Sequence, residues 1–292
     1  MSTEIEFTKM HALGNDYIVI NETIETVIPE ESKNKISEEI STRRFNVGAD
    51  GVIFACQSDV ADVKFRIFNS DGSEAEMCGN GIRCLAKYVY DKGIVKKETM
   101  KIETMEDIKE ARLSVEDGEV TSIEIDMGQG FFKPEDIPAI APSGNTDEFI
   151  MEDIVVEGET VKMSSVSVGN PHAVCFTDVN IEDIDLDFYG PRIENHEAFP
   201  EKVNVHFVNI DSSEEINILT WERGAGFTFA CGTGTTSCVL LGYKMGLLDE
   251  KVLAHLSGGD LEITNTDHVD YLTAEMKGKA VTVYEATMNV EL

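Results

Sequence analysis

The sequence predicts an α+β protein with two similar halves, each a strand-rich sheet wrapped around one central helix. Its 292 residues are enough for two domains, each with its own core. Most patterned segments are short runs rich in β-branched and aromatic residues, which are typical of strands. Each half also has one helix that is apolar nearly all round, and such helices are usually buried.

Strands are predicted where β-rich runs show partial alternation. These runs lie at 16–21, 51–56, 63–69, 121–127, 161–168, 173–177, 203–210, 216–221 and 280–284. Helices are predicted over Glu31–Arg44 and near 187–195. The helical spacing of Ile82, Leu85 and Val89 predicts the first central helix, which stops at Gly93. Residues 239–243 have a similar pattern before Gly246, which predicts the second.

An internal repeat relates the two halves. Gly14-Asn15-Asp16 lies before Cys78, and Gly169-Asn170-Pro171 lies before Cys231. The number of residues between motif and cysteine is nearly the same in both halves. Each cysteine opens a similar stretch, Cys-Gly-Asn-Gly in the first half and Cys-Gly-Thr-Gly in the second. Because each stretch also ends at a glycine that stands equally far from its cysteine, we infer two copies of one unit and a pseudo-symmetric pair of domains.

The charge of the chain excludes several partners. Lys and Arg number 24 against 55 Asp and Glu, a formal net charge of −31. Such a surface repels nucleic acid and anionic lipid, so neither is an expected partner. The charge also suggests adaptation to high internal salt, where screening relieves the repulsion.

The sequence contains neither a membrane-span pattern nor a leader pattern. No apolar run is long enough to cross a bilayer as a helix, and the start of the chain lacks a basic region followed by an apolar stretch. We therefore expect a cytoplasmic protein.

The six cysteines are compatible with more than one role. A disulfide framework is not expected in a long chain without an export signal. The spacing offers no Cys-x-x-Cys pair, so no metal site is predicted. Buried structural thiols and reactive thiols remain as alternatives for each cysteine.

The segments that begin at Cys78 and Cys231 have the properties of reactive anion-binding sites. Glycines allow close approach of a ligand, and the first N–H groups of a helix point at whatever lies in front of them. The helix dipole favours an anion, which should shift a thiol toward the thiolate. Two such sites could hold one carboxylate and place a sulfur on each face of the adjoining carbon, as racemisation requires.

Two other glycine-rich loops, which bind dinucleotides or phosphate, match these segments less well. A dinucleotide-binding loop needs a third glycine, where Cys84 and Ser237 stand here. A phosphate-binding loop needs a lysine that Gly232-Thr-Gly-Thr-Thr lacks. A buried structural thiol remains possible for one cysteine, but it does not explain recurrence at equivalent helix starts.

Longer motifs resemble those of the diaminopimelate epimerase family from Phe7 to the C-terminus. They are Lys9-Met-His-Ala-Leu-Gly-Asn-Asp16, Val47-Gly-Ala-Asp-Gly51, Phe65-Arg-Ile-Phe-Asn-Ser-Asp-Gly-Ser73, Met77-Cys-Gly-Asn-Gly-Ile-Arg-Cys84, Val168-Gly-Asn-Pro-His172, Val203-Asn-Val205, Glu222-Arg-Gly-Ala-Gly226 and Ala230-Cys-Gly-Thr-Gly234. The resemblance implies a cofactor-independent isomerase that interconverts L,L- and meso-diaminopimelate in lysine biosynthesis.

The resemblance also implies site residues and a domain plan. Cys78 and Cys231 would be the acid/base pair, and His172 would lie near the reacting amine. The implied substrate-binding residues are Asn15, Asn69, Gly79, Asn80, Asn170, Asn204, Glu222, Arg223, Gly232 and Thr233. The expected domains are 1–127, completed by a C-terminal strand at 281–292, and 128–280. A homodimer is expected, with diaminopimelate as its small-molecule partner.

Four positions depart from the family pattern, where glutamine, tyrosine, glutamate and proline are common. They are Gly51, Trp221, Phe227 and Lys279. Two other functions are alternatives: a two-cysteine racemase for a single-headed amino acid, and a binding protein that has lost turnover. Arg223 suits a second substrate carboxylate, which argues against the first. The presence of both cysteines argues against the second.

Overall fold

A computed structural model describes residues 2–75 and 78–292, except for the side chain of Ser2. Met77, part of the motif before Cys78, lies outside the described residues. The chain forms two compact units. Unit 1 runs to Asp126 and includes Lys277–Leu292, and unit 2 is Met127–Met276.

Strands dominate the described residues. The first part of the chain contains β1 (Ser2–Ala12), β2 (Asn15–Glu22), α1 (Lys33–Ser41), β3 (Gly51–Cys56), β4 (Val63–Asn69), β5 (Glu74–Ala75), α2 (Gly79–Asp91), β6 (Thr99–Glu103), β7 (Ile108–Glu116) and β8 (Glu119–Gln129). The rest contains β9 (Glu152–Val156), β10 (Glu159–Ser167), β11 (Pro171–Phe176), α3 (Leu186–Glu194), β12 (Asn204–Ser212), β13 (Glu215–Glu222), β14 (Gly226–Phe227), α4 (Gly232–Lys244), β15 (Lys251–Leu256), β16 (Gly259–Asp267), β17 (Leu272–Gly278) and β18 (Val281–Glu291).

The two units repeat one strand order. In unit 1 the order is β18-β1-β2-β3-β4-β6-β7-β8, with β2/β3 and β4/β6 parallel and the other pairs antiparallel. In unit 2 it is β9-β10-β11-β12-β13-β15-β16, with β11/β12 and β13/β15 parallel. Each parallel pair therefore has its counterpart in the other unit, which confirms the predicted pseudo-symmetric α+β fold.

A buried helix lies against the inner face of each sheet, as predicted. Helix α2 packs on β1, β2, β3, β4 and β7, and α4 packs on β10, β11, β12 and β16. Successive side chains of a strand point to opposite faces of the sheet, so each strand contributes side chains to the packing on both faces. In β2, Ile18 and Ile20 belong to a cluster on the α1 side, whereas Tyr17 contacts Cys78 at the start of α2.

The structure differs from the sequence prediction mainly at element ends. Helix α1 is shorter than the predicted Glu31–Arg44, since residues 30–32 form a 3-10 turn and Arg44 has a φ of 73°, which a helix does not allow. The strands without a counterpart in the sequence prediction are β1, β5, β6, β7, β9, β14, β15, β16 and β17. Within the described ranges, no helix is long and apolar enough to span a membrane.

Candidate active site

Cys78 and Cys231 occupy the same backbone position in their units. Each is the N-cap residue of its central helix, in an extended conformation, with φ and ψ of −150° and 110° for Cys78 and −122° and 110° for Cys231. Cys231 is buried and Cys78 is half-buried. Each thiol therefore lies where the free N–H groups of a helix begin, as the sequence predicts.

In unit 1, a tyrosine hydroxyl contacts the Cys78 thiol. Tyr17 Oη lies 3.0 Å from Cys78 Sγ, and the tyrosine ring is buried. Burial raises the pKa of Tyr17 well above its usual range, and the negative charge of Cys78 raises it further. Tyr17 consequently stays protonated and is able to donate a hydrogen bond to a Cys78 thiolate.

A buried arginine lies under the same helix start. Arg83 is fully buried, and its guanidinium donates to Asn80 Oδ1 at 2.6 Å and to the Gly79 carbonyl at 3.5 Å. Burial lowers the pKa of Arg83, but an arginine keeps its charge at neutral pH. The charge of a Cys78 thiolate raises the pKa of Arg83, so thiolate and guanidinium stabilise each other.

The remaining predicted residues of unit 1 lie at the same end of the sheet. Asn15 starts β2, and its buried Oδ1 has no hydrogen-bond partner among the described residues. Asn69 ends β4 and pairs with Gly51, the first residue of β3. A Cβ at Gly51, a departure from the family pattern, would lie 2.6 Å from the Phe68 carbonyl oxygen, so a side chain here would require the backbone to shift.

In unit 2, the surroundings of Cys231 keep its thiol protonated. Burial raises the pKa of Cys231 well above its usual range, and the charge of Glu222 raises it further. The Thr233 hydroxyl, 3.6 Å from Cys231 Sγ, opposes this effect. The expected shift of this thiol toward the thiolate is therefore wrong for Cys231, because burial and a carboxylate outweigh the helix start.

The turn that carries Glu222 and Arg223 is held by buried polar groups. The Arg223 backbone N–H donates to Asn204 Oδ1 at 3.0 Å, and Asn204 Nδ2 donates to the Pro171 carbonyl at 2.9 Å. The Arg223 side chain is exposed, and its guanidinium donates to the Glu201 carbonyl at 3.0 Å. Asn204 thus ties the turn to β11 in addition to any contact with a ligand.

Trp221, another departure from the family pattern, is anchored by α3. Its indole N–H donates to Glu194 Oε2 at 2.8 Å, and the Gly224 N–H donates to the second oxygen of the same carboxylate at 3.1 Å. A Cβ at Gly190 would lie 2.4 Å from the Trp221 ring. One buried carboxylate therefore orients both the indole and the turn.

A chain of hydrogen bonds runs behind Asn170. Asn170 Oδ1 lies 2.8 Å from His172 Nε2, His172 Nδ1 lies 2.9 Å from His206 Nε2, and His206 Nδ1 lies 3.0 Å from Thr220 Oγ1. Burial is the main cause that lowers the pKa of His172 well below its usual range and that of His206 to about 3, so both rings are neutral. With Asn170 Oδ1 as acceptor, each ring donates through Nε2 and accepts through Nδ1. Within the part of the chain that the structure describes, no group accepts from the Asn170 amide N–H groups, so they are available to a ligand.

The sequence did not point to Tyr17, Arg83 or His206. The repeat contained a signal for one of them, because Tyr17 and His172 are each the third residue after Gly14 and Gly169. Arg83 and His206 could not be found in this way, since Thr236 and Ile53 stand at the corresponding positions. His206 packs directly beneath the start of α4, where a Cβ at Gly234 would lie 2.2 Å from its ring.

The other departures from the family pattern lie on the surface. Phe227 is exposed and packs edge-on against Phe229, with ring centroids 5.5 Å apart. Lys279 is exposed between β17 and β18. Among the residues that the structure describes, no cluster of three or more His, Cys, Asp or Glu side chains could hold a metal ion.

Comparison with known proteins matches this chain to one family. The model of the family described as "Diaminopimelate epimerase" matches residues 7–132 and 164–283. The diaminopimelate epimerase of Methanothermobacter thermautotrophicus is 52% identical over 285 residues, which cover 97% of this chain and 98% of that protein. The diaminopimelate epimerase of Bacillus cereus is 44% identical and covers 95% of each chain.

Solved structures with a similar fold include a PhzF-family phenazine biosynthesis protein from Bacillus anthracis. Its TM-score is 0.70 at 19% identity, and the match covers 99% of this chain and 100% of that one. A hydroxyproline epimerase from Agrobacterium vitis has a TM-score of 0.68 at 14% identity, with coverage of 98% and 91%. At these identities the structures support the fold alone, whereas the family model and the curated relatives are specific. The chain belongs to the diaminopimelate epimerase family.

Proposed function

We propose that the chain is an isomerase that interconverts L,L- and meso-diaminopimelate, a reaction of lysine biosynthesis, with Cys78 and Cys231 as its acid and base. The observation that carries the proposal is the pair of thiols at equivalent helix starts, in a chain 52% identical to a named diaminopimelate epimerase. No cofactor is required, because a thiolate and a thiol provide both a proton acceptor and a proton donor.

In the proposed reaction, one sulfur removes the α-proton as a thiolate and the other delivers a proton to the opposite face as a thiol. The carbanion formed between these steps delocalises its charge onto the α-carboxylate. The free N–H groups at a helix start stabilise such a charge. After turnover the protonation states of the two sulfurs are exchanged, so the same pair serves the reverse reaction.

The electrostatics of each thiol support different starting roles. Burial, and after it the charge of Glu222, favours the neutral thiol of Cys231, which suits a proton donor. Tyr17 and Arg83 favour the thiolate of Cys78, which suits a proton acceptor. We therefore propose that Cys78 starts as the base and Cys231 starts as the acid.

Substrate recognition follows from donors and acceptors that the protein leaves available. The buried Oδ1 of Asn15 suits an ammonium group, and the amide N–H groups of Asn170 suit a carboxylate. Arg223, with its exposed guanidinium, suits the second carboxylate of a two-headed substrate. Asn69, Asn80, Asn204, Glu222, Thr233 and the glycines 79 and 232 complete the proposed binding set, with His172 orienting Asn170.

We also propose the domain plan and setting expected from the sequence. The domains are 1–127, completed by the strand at 281–292, and 128–280. The protein is cytoplasmic and forms a homodimer. Size-exclusion chromatography with light scattering tests the dimer, and a monomer at working concentration would refute it.

Incubation of the reduced protein with L,L-diaminopimelate in D₂O tests the function. We expect deuterium at one α-carbon and formation of the meso isomer, because each turnover replaces the α-proton with one from solvent. Deuterium in another amino acid, with none in diaminopimelate, would favour the single-headed racemase. The absence of exchange in any amino acid would favour a binding protein.

A further inference from the structure

We propose that Tyr17 is a positioning residue of this site, whose hydroxyl donates a hydrogen bond to Cys78 and thereby holds that sulfur as a thiolate. The inference deepens the proposed function and rests on Cys78 being its base. It is carried by the 3.0 Å contact between Tyr17 Oη and Cys78 Sγ.

The direction of this hydrogen bond follows from chemistry. A thiolate has no proton, so only the phenol can donate when Cys78 is ionised. A hydrogen bond to the charged form of a group favours that form. Because the tyrosine ring is buried and its pKa is raised well above the usual range, the phenol keeps its proton throughout the working pH range.

The position of Tyr17 makes the donor rigid. The residue lies in β2, between β1 and β3, where it pairs with Met10 on one side and Gly51 on the other. Helix α2 packs against the same strand. The strand and the helix start thus hold the phenol against the sulfur without the entropy cost of ordering a loop side chain.

Other titratable groups act on the same contact. The guanidinium of Arg83 favours a Cys78 thiolate. The charge of Asp50, before β3, raises the pKa of Tyr17 in addition to burial. A Cys84 thiolate on α2 would act in the same direction, but burial raises the pKa of Cys84 to about 12 and keeps it neutral. The surroundings of the Cys78 thiolate in unit 1 therefore include a buried cation and a phenol donor, and Tyr17→Phe removes the phenol hydroxyl.

The pH dependence of alkylation at Cys78 tests the proposal without substrate. Iodoacetamide reacts with thiolates, and peptide mass spectrometry follows Cys78 separately from the other cysteines. We expect Tyr17→Phe to raise the alkylation midpoint of Cys78 by about one to two pH units, since a hydrogen bond to a charged group is worth that much. At neutral pH the alkylation rate should fall about tenfold.

The matched control is Tyr88→Phe. Tyr88 is buried on α2, and its pKa is raised to about 12 by burial and by Glu285 and Glu6, without Cys78 among the causes. Its removal should leave the Cys78 midpoint unchanged. An unchanged midpoint in a folded Tyr17→Phe protein, checked by circular dichroism, would overturn the proposal, as would an equal shift in both variants.

Two further measurements cover the remaining cases. If Tyr17→Phe does not fold, 3-fluorotyrosine at position 17 provides a more acidic phenol, and the Cys78 midpoint should fall; an unchanged or higher midpoint overturns the proposal. In active protein, the acid limb of the pH profile of kcat/KM should move to higher pH in Tyr17→Phe, together with the alkylation midpoint. An acid limb at the wild-type pH would refute the positioning role. If the wild-type protein shows no epimerisation but Tyr17→Phe still shifts the alkylation midpoint of Cys78, the proposed function is refuted and the effect of Tyr17 on the thiol stands.

Discussion

The helix starts at Cys78 and Cys231 have the same backbone geometry and opposite electrostatic surroundings. Five residues after each cysteine, a side chain donates to the carbonyl of the first helical glycine: Arg83 to Gly79 at 3.5 Å, and Thr236 to Gly232 at 3.0 Å. The structural role is thus the same, but only Arg83 brings a charge. A second difference lies on β4 and β13, whose last residues are the neutral Asn69 and the acidic Glu222.

The comparison shows that the backbone position of the thiol and the charge of its neighbouring side chains vary independently between the two copies of the unit. The backbone places both thiols at helix starts, and the neighbouring side chains differ in charge, with Arg83 beside Cys78 and Glu222 beside Cys231. Enzymes usually distinguish the acid from the base by placing two titratable groups in environments that shift their pKa values in opposite directions. Repetition of a fold therefore does not imply repetition of a chemical role.

The largest expected effect comes from removing either thiol. Cys78→Ala and Cys231→Ala should each lower epimerisation by about 10³-fold or more, because proton transfer from a positioned group contributes at this scale. Chiral chromatography of diaminopimelate measures the rate, and Cys175→Ala, a buried cysteine outside the site, is the control. An active Cys78→Ala protein would refute the paired mechanism.

Replacement of Glu222 by Gln should make the two helix starts more alike. The carboxylate raises the pKa of Cys231, so its loss should lower the pH midpoint of Cys231 alkylation. Turnover should fall about tenfold or more, since a carboxylate that favours the neutral form of the proton donor is lost. Glu215→Gln, a carboxylate on β13 that contacts His255, provides the control. A midpoint that rises would contradict the assigned role of Glu222.

A smaller effect is expected from the histidine pair found only in unit 2. Because the pKa of His206 is about 3 in the folded protein and about 6.5 in an unfolded chain, the unfolded state binds more protons between these values. The contribution of His206 to stability is therefore lost as pH falls from about 6.5 toward 3. In this window, His206→Gln should reduce the dependence of unfolding free energy on pH by up to about 1.4 kcal/mol per pH unit.

Urea unfolding at several pH values measures this slope. His255→Gln is the control with the opposite sign, since Glu215 and Asp260 raise the pKa of His255 and its stabilisation is lost as pH rises. Equal slopes in the wild-type and His206→Gln proteins would show that His206 is not held neutral.

The smallest effect on the site is expected from salt. The charge of −31 should make the Tm rise between about 0.1 M and about 1 M KCl, as the screening length falls from roughly 10 Å to roughly 3 Å. The alkylation midpoint of Cys231 should change little, since Cys231 is buried and Glu222 is half-buried, and salt screens such a pair weakly. Differential scanning calorimetry and alkylation measure the two responses. A Tm that does not rise would refute adaptation to salt.

The sequence predicted the architecture well because repetition and periodicity are local signals. The central helices and strands such as β3 and β4 follow from residue patterns, and the two thiols follow from the glycines beside them. Strand β7, which was missed, alternates around the buried Ala111 and Leu113 but has a polar outer face with Glu110, Arg112 and Ser114. The contact between Tyr17 and Cys78 could not be predicted, because it forms only when β2 and the start of α2 are packed together.

The C-terminal strand has a consequence for synthesis on the ribosome. Strand β18 pairs with β1 from Ser2 to His11, so the first strand to be made has one of its two neighbours only when the last residues have been translated. Unit 2 is continuous in sequence and has all its residues earlier. Domains generally fold in the order in which they are synthesised. Here the unit begun first is completed last, and a nascent chain that stops before Val281 leaves the hydrogen-bonding edge of β1 exposed to aggregation.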